Sequence, residues 1–155
     1  MINVFATYRC NLSCSYCFAS ELQRHYPDDM GTEAFARLLQ WMKKAGVPAA
    51  GFIGGEPTLH PRLPVMLEAS KDAGICPVLF TNGLFDLKLA ERLAACVSNF
   101  VINYNDPAVY TSRQSATLHA SLERLTSLGA RITFSKNFTE EFKEYDYLLD
   151  GADRY

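Results

Sequence analysis

The chain carries almost no excess charge. Fifteen Lys and Arg stand against seventeen Asp and Glu, a formal net charge of -2. Bulk electrostatics therefore gives no case for a nucleic-acid or anionic-membrane partner. No apolar run is long enough to span a bilayer. The start, Met1-Ile2-Asn3-Val4, lacks the basic segment and apolar core of a signal peptide. Cysteine is scarce and odd in number, five in 155 residues, with three of them bunched. An odd, clustered set is not a disulfide framework. It is the usage of a reducing compartment, where grouped thiols bind metal or do redox work, and a cytoplasmic location is expected. No repeat, linker or low-complexity segment breaks the sequence, and 155 residues is a single-domain length.

What is present is a rhythm of short apolar runs and amphipathic stretches. Strands are expected at Ile2–Thr7, Ala49–Ile53, Pro77–Phe80, Phe100–Tyr104 and Ala130–Phe134. Residues 18–31 read as a polar loop. Thr32 is expected to cap a helix whose apolar face is Phe35, Leu38, Leu39 and Met42, with Gly46 as its stop. A second helix is expected over 62–73, with Leu63, Met66 and Leu67 inward. Asp86 should cap a third, carrying Leu89, Leu93 and Cys96. A fourth is expected over 117–128 on Leu118, Leu122 and Leu125. Thr139 should cap a fifth, with Glu140 and Glu141 in its first turn and Phe142, Tyr145 and Leu149 as its face. Five βα units predict an α/β fold with about five parallel strands and helices outside, a partial (βα) barrel, against the alternative of a flat doubly wound sheet.

In such folds ligands gather at the carboxyl ends of the strands. The unusual residues fall there. Cys10, Cys14 and Cys17, spaced C-x3-C-x2-C, follow strand one. Gly54-Gly55-Glu56-Pro57 follows strand two, Thr81-Asn82-Gly83 strand three, and Asn103-Tyr104-Asn105-Asp106 closes strand four. Three thiols within eight residues suit a four-iron cluster, one thiolate per corner, with the fourth iron open. Zinc held by the same cysteines and His25 is the other reading, and spacing alone leaves both standing. Cys76 and Cys96 lie at the opposite end of the strands. A five-residue strand spans roughly 17 Å, beyond any metal–sulfur bond, so both are expected to be buried small apolar residues. His60 and Trp41 are expected to be structural, His60 in its loop and Trp41 in packing. Asn82 could reach the mouth or satisfy its own turn.

The cysteine spacing with Tyr16 before the third cysteine, the Gly-Gly-Glu-Pro segment and Thr-Asn-Gly together resemble the radical S-adenosylmethionine (radical SAM) superfamily. The resemblance covers the whole chain, 1–155. It implies a [4Fe-4S] cluster on Cys10, Cys14 and Cys17, whose open iron is chelated by S-adenosylmethionine. An electron donor reduces the cluster, the sulfonium is cleaved, and the 5′-deoxyadenosyl radical takes a substrate hydrogen. Backbone groups of Gly54, Gly55, Glu56 and Pro57 would receive the cofactor's ammonium, glycine allowing the close approach. Tyr16 would meet the adenine by backbone or ring. Asn103 and Asn105 stand where the family has a small polar and an acidic residue at the ribose, a departure from the pattern. The wording of the motifs best resembles members that modify peptides or proteins. The family core has six βα units, so a stop before a sixth is expected. A zinc-binding module without catalysis and a cluster protein that only transfers electrons are the competing readings.

Overall fold

A computed structural model of the chain describes residues 1–136 and 146–155. Five strands, β1 (Ile2–Thr7), β2 (Ala49–Gly54), β3 (Cys76–Thr81), β4 (Asn99–Asn103) and β5 (Ile132–Ser135), form one sheet. Their order is that of the chain, β1-β2-β3-β4-β5, and every pairing is parallel. The helices are α1 (Leu22–His25), α2 (Thr32–Lys44), α3 (Leu63–Asp72), α4 (Leu87–Ala94), α5 (Ser112–Ser127) and α6 (Asp146–Arg154). The expected α/β architecture, an open parallel sheet with helices outside, is the one observed.

Alternation along each strand decides which side is the core. The register sets Val4 beside Phe52, Phe52 beside Leu79, Leu79 beside Phe100 and Phe100 beside Ile132. This apolar stripe crosses the sheet and meets Phe35 and Met42 of α2, Leu63, Met66 and Leu67 of α3, Leu93 of α4, and Leu118, Leu122 and Leu125 of α5. Burying each such side chain stabilises the fold by about 1.5–3 kcal/mol. The opposite face carries Ile53, Phe80, Val101 and Asn103, which are only half-buried. No helix of the described residues is long and apolar enough to cross a membrane.

Several sequence expectations need correction. Gly31, not Thr32, is the N-cap of α2; its extended backbone occupies the cap and Thr32 is already helical. The polar loop before it contains one helical turn, α1. Helix α5 starts at Ser112, five residues ahead of the expected 117. A capping box sets that start: Thr111 Oγ1 accepts from Gln114 N–H at 3.2 Å, and Gln114 Oε1 accepts from Thr111 N–H at 2.9 Å. Asp86 does cap α4, accepting from Leu89 N–H at 2.7 Å. Trp41 is 53% exposed, because it lies off the Phe35–Met42 stripe of α2. Cys76 is exposed and free, since it opens β3 on the face away from Pro77 and Leu79, whereas Cys96 is buried as expected. Leu149 is 66% exposed; α6 instead sets Tyr147 and Leu148 against the core. Thr139, Glu140, Glu141, Phe142 and Tyr145 lie outside the described residues.

Candidate functional site

The carboxyl ends of the strands surround a cavity of about 400 Å³, a size typical of small-molecule sites, which run from about 300 to 1,000 Å³. Its wall draws on five strand ends. Cys10, Cys14, Tyr16 and Cys17 come from the loop after β1, and Gly54, Gly55 and Glu56 from the end of β2. Thr81 and Asn82 follow from β3, Asn103 from β4 and Ser135 from β5. Sequential parallel order makes this convergence inevitable: every strand points the same way, so every following loop opens on one rim. A second cavity of about 310 Å³ shares Cys10, Cys14 and Cys17 with the first and is completed by Tyr8, Gln23 and Arg24. The thiols thus stand between two hollows.

All three cysteines are free. The loop is held by its own backbone, with Cys17 N–H donating to Cys14 O at 3.1 Å and Leu12 N–H donating to Cys10 Sγ at 3.4 Å. Burial pushes the Cys10 thiol above its ordinary range. Among the described residues no three His, Cys, Asp or Glu side chains gather as ligands of one ion. His25 is exposed on α1 and lines neither cavity. Cys76 and Cys96 sit at the far end of the β3 and α4 elements. Cys10, Cys14 and Cys17 line one hollow with no fourth cysteine in its described wall, the residue set that a cubane held at three corners requires, although as placed they do not converge on a single point.

The two glycines have a reason the sequence did not disclose. A Cβ on Gly54, where φ is +154°, would lie 2.0 Å from Thr7 O; one on Gly55 would lie 2.4 Å from both Tyr8 O and Arg9 O. The close approach is to the cysteine loop of the same chain. Gly55 N–H donates to Thr7 O at 2.9 Å and Glu56 N–H donates to Arg9 O at 2.7 Å. Both donors are thereby spent, and Pro57 has none. Glu56 O and Pro57 O already accept from Leu59 N–H at 3.0 Å and His60 N–H at 2.9 Å, and Pro57 is off the cavity wall, so what this turn offers a cation is the carbonyl oxygens of Gly54 and Gly55.

Glu56 is almost wholly buried, 1% exposed. Its Oε1 accepts from Thr58 N–H at 3.0 Å, Thr58 Oγ1–H at 2.7 Å and Thr81 Oγ1–H at 2.7 Å, and its Oε2 accepts from Asn82 N–H at 2.8 Å. Burial raises its pKa, opposed by these four donors. The carboxylate ties the loop after β2 to the loop after β3. Asn82 continues the tie in both senses left open above. Its Oδ1 accepts from Leu84 N–H at 2.9 Å within its own turn, and its Nδ2 donates at 2.7 Å to Asn11 Oδ1 in the cysteine loop. His60 is structural, as expected: Nδ1 accepts from Arg62 N–H at 3.1 Å, which leaves Nε2 to donate to Met30 O at 3.0 Å.

Tyr16 reaches across the mouth to β4. Its hydroxyl accepts from Asn103 Nδ2 at 2.9 Å and donates to Asn105 Oδ1. Burial pushes this phenol up to about 12. Asn103 lines the cavity, and its Oδ1 is buried without a hydrogen-bond partner among the described residues. Asn105 is buried and is not on the cavity wall; its N–H donates to Tyr110 Oη at 3.2 Å. The sequence placed Asn103 and Asn105 side by side in one role, and the structure separates them.

The Radical SAM superfamily model matches residues 4–107. Fe-coproporphyrin III synthase of Methanosarcina barkeri is 34% identical over 88 residues, 56% of this chain and 22% of that protein. PqqA peptide cyclase of Xanthomonas axonopodis pv. citri is 35% identical over 128 residues, 81% of this chain and 34% of that protein. The crystal structure of Streptococcus suis SuiB bound to S-adenosylmethionine superposes with a TM-score of 0.75 at 19% identity, over 98% of this chain and 36% of that one. The chain spans roughly a third or less of the length of these relatives.

Proposed function

This chain belongs to the radical SAM superfamily, and on that premise we propose that it forms the cofactor-binding part of an enzyme that cleaves S-adenosylmethionine reductively. Cys10, Cys14 and Cys17 hold a [4Fe-4S] cluster, and S-adenosylmethionine lies in the cavity they head. When bound, these groups supply the electron transfer and the 5′-deoxyadenosyl radical that takes a hydrogen atom from the substrate. The protein contributes position. The carbonyl oxygens of Gly54 and Gly55 receive the ammonium of S-adenosylmethionine, with Glu56 and Pro57 shaping the turn behind them. Tyr16 borders the adenine, and Asn103 offers its Oδ1 to a ribose hydroxyl. Ile53, Phe80 and Val101 keep water from the floor. A one-electron donor completes the system. We take the substrate to be a peptide or protein, a reading supported by the likeness to a peptide cyclase over 81% of the chain. We place the enzyme in the cytoplasm, on the usage of its thiols.

The observation that carries this reading is the set of three free thiols at the head of a cavity, with no fourth cysteine among the described residues of its wall. Anaerobic reconstitution with iron and sulfide, followed by reduction, should yield 5′-deoxyadenosine from S-adenosylmethionine. Stoichiometric zinc in place of iron, lost in His25→Ala, would overturn it. A cluster whose spectrum never responds to S-adenosylmethionine would reduce the protein to electron transfer. Cys14→Ala should lose the iron with its thermal transition retained, because Cys14 is not part of the buried core. Global unfolding of that variant, seen by circular dichroism, would instead make the site structural.

A further inference from the structure

The two hollows that meet at the thiols differ in charge. Among the described residues, the wall of the larger holds no Lys, Arg or His, and its one carboxyl is Glu56. The wall of the smaller holds the three cysteines, no carboxyl, and the Arg24 side chain of α1. A guanidinium stays charged at any working pH. The other cation of this region, Arg9, is already paired. Its Nε donates to Asp29 Oδ1 at 3.1 Å, and its Nη2 donates to Asp29 Oδ2 at 2.6 Å and to Leu59 O at 2.9 Å. Arg24 has no such partner. Its backbone N–H donates to Glu21 O at 3.2 Å, but among the described residues its side chain makes no ion pair or hydrogen bond. Glu21 itself is exposed and lies on neither wall.

We propose that Arg24 is the countercharge of the thiol-bound cluster and raises its reduction potential. That the bound group is an iron–sulfur cluster rests on the function proposed above; the unpaired cation beside the thiols does not. Three thiolates and a cubane together form an anion, and an added electron makes it more negative. Net charge is one of the terms that set such a potential. A cation on the wall therefore favours the reduced state over the oxidised one. The step is the uptake of one electron from an external donor; no bond forms or breaks and no proton moves. The same charge repels a ligand that carries a sulfonium and an ammonium, and leaves it the larger hollow, where no cation stands. Arg24 is exposed, so water and salt screen it and the effect is modest.

An equilibrium effect is read as a potential, not as a rate. The iron-loaded protein is titrated anaerobically with dithionite, without S-adenosylmethionine, and the reduced cluster is followed by electron paramagnetic resonance. Arg24→Gln should make the equilibrium constant for electron uptake about fivefold smaller, which is about 40 mV more negative at about 59 mV per tenfold. Arg24→Lys keeps the charge and should stay with wild type. Arg131→Gln removes the same charge just before β5, at the end of the sheet away from the thiols, and should also stay with wild type. Both arginines are exposed, so all three variants should keep the wild-type thermal transition. A potential unmoved in Arg24→Gln, or lowered equally in Arg24→Lys or Arg131→Gln, overturns the role of Arg24 and leaves the cluster reading standing. A wild-type protein that forms no cluster overturns both.

Discussion

Gly54→Ala should destabilise the protein by about 4 kcal/mol or more, a loss confined to changes with a specific steric or polar cause. The added methyl would sit 2.0 Å from Thr7 O. That oxygen cannot retreat cheaply, because it already accepts the Gly55 N–H at 2.9 Å. The positive φ of Gly54 adds strain for any side chain. Relief requires β1 and β2 to part at their carboxyl ends, where the cysteine loop begins. Denaturant unfolding and iron content after reconstitution should fall together. A variant as stable as wild type and fully loaded with iron would show that the strand ends are not pinned in this way.

Glu56→Ala is the second large loss, about 3–5 kcal/mol from a total of about 5–15 kcal/mol. It strands the Thr81 hydroxyl and the Asn82 N–H in a buried site, each of which needs an acceptor. Glu56→Gln should recover part of this, since one oxygen remains, but its new NH2 group faces a donor and the recovery cannot be complete. The two variants also differ from wild type in pH response. Burial raises the Glu56 pKa above its ordinary 4.5. The folded state therefore binds that proton more tightly than the unfolded chain does, and this contribution is fullest below 4.5 and fades as pH rises through the higher folded value. Unfolding curves across that window should show the slope in wild type and lack it in Glu56→Gln. Equal stability of wild type and Glu56→Ala would remove Glu56 from its place between the loops.

Much of the fold was legible because its signals are local. Apolar stripes at helical spacing and glycine stops placed the helices, and the βα alternation gave the parallel sheet. The misses are also local in origin. Helix α5 opens with the polar Ser112-Arg113-Gln114-Ser115-Ala116, which shows no stripe, so the periodicity began only at Leu118; the Thr111 and Gln114 pair was the available signal. Residue type alone makes Cys76 read as buried, whereas its exposure follows from its parity along β3. At the site, residue types and order point to four loops that the structure brings around one cavity. What no single loop could disclose was which partner each residue meets. Gly54 and Gly55 yield to the neighbouring loop, Glu56 serves the loops before any ligand, and Asn105 stands behind Asn103. Those are contacts between residues 20 to 90 positions apart, set by the register of the sheet.

The order of the strands also bears on how the protein is made. Each strand lies beside its predecessor in the chain, so a nascent polypeptide can build the sheet from its amino end, docking each new unit on a finished edge as synthesis proceeds. Once β3 and its turn have emerged, the partners of Glu56 and Asn11 are all present. The thiol loop would then be in place while the ribosome is still at work, ahead of the last two strands of the sheet.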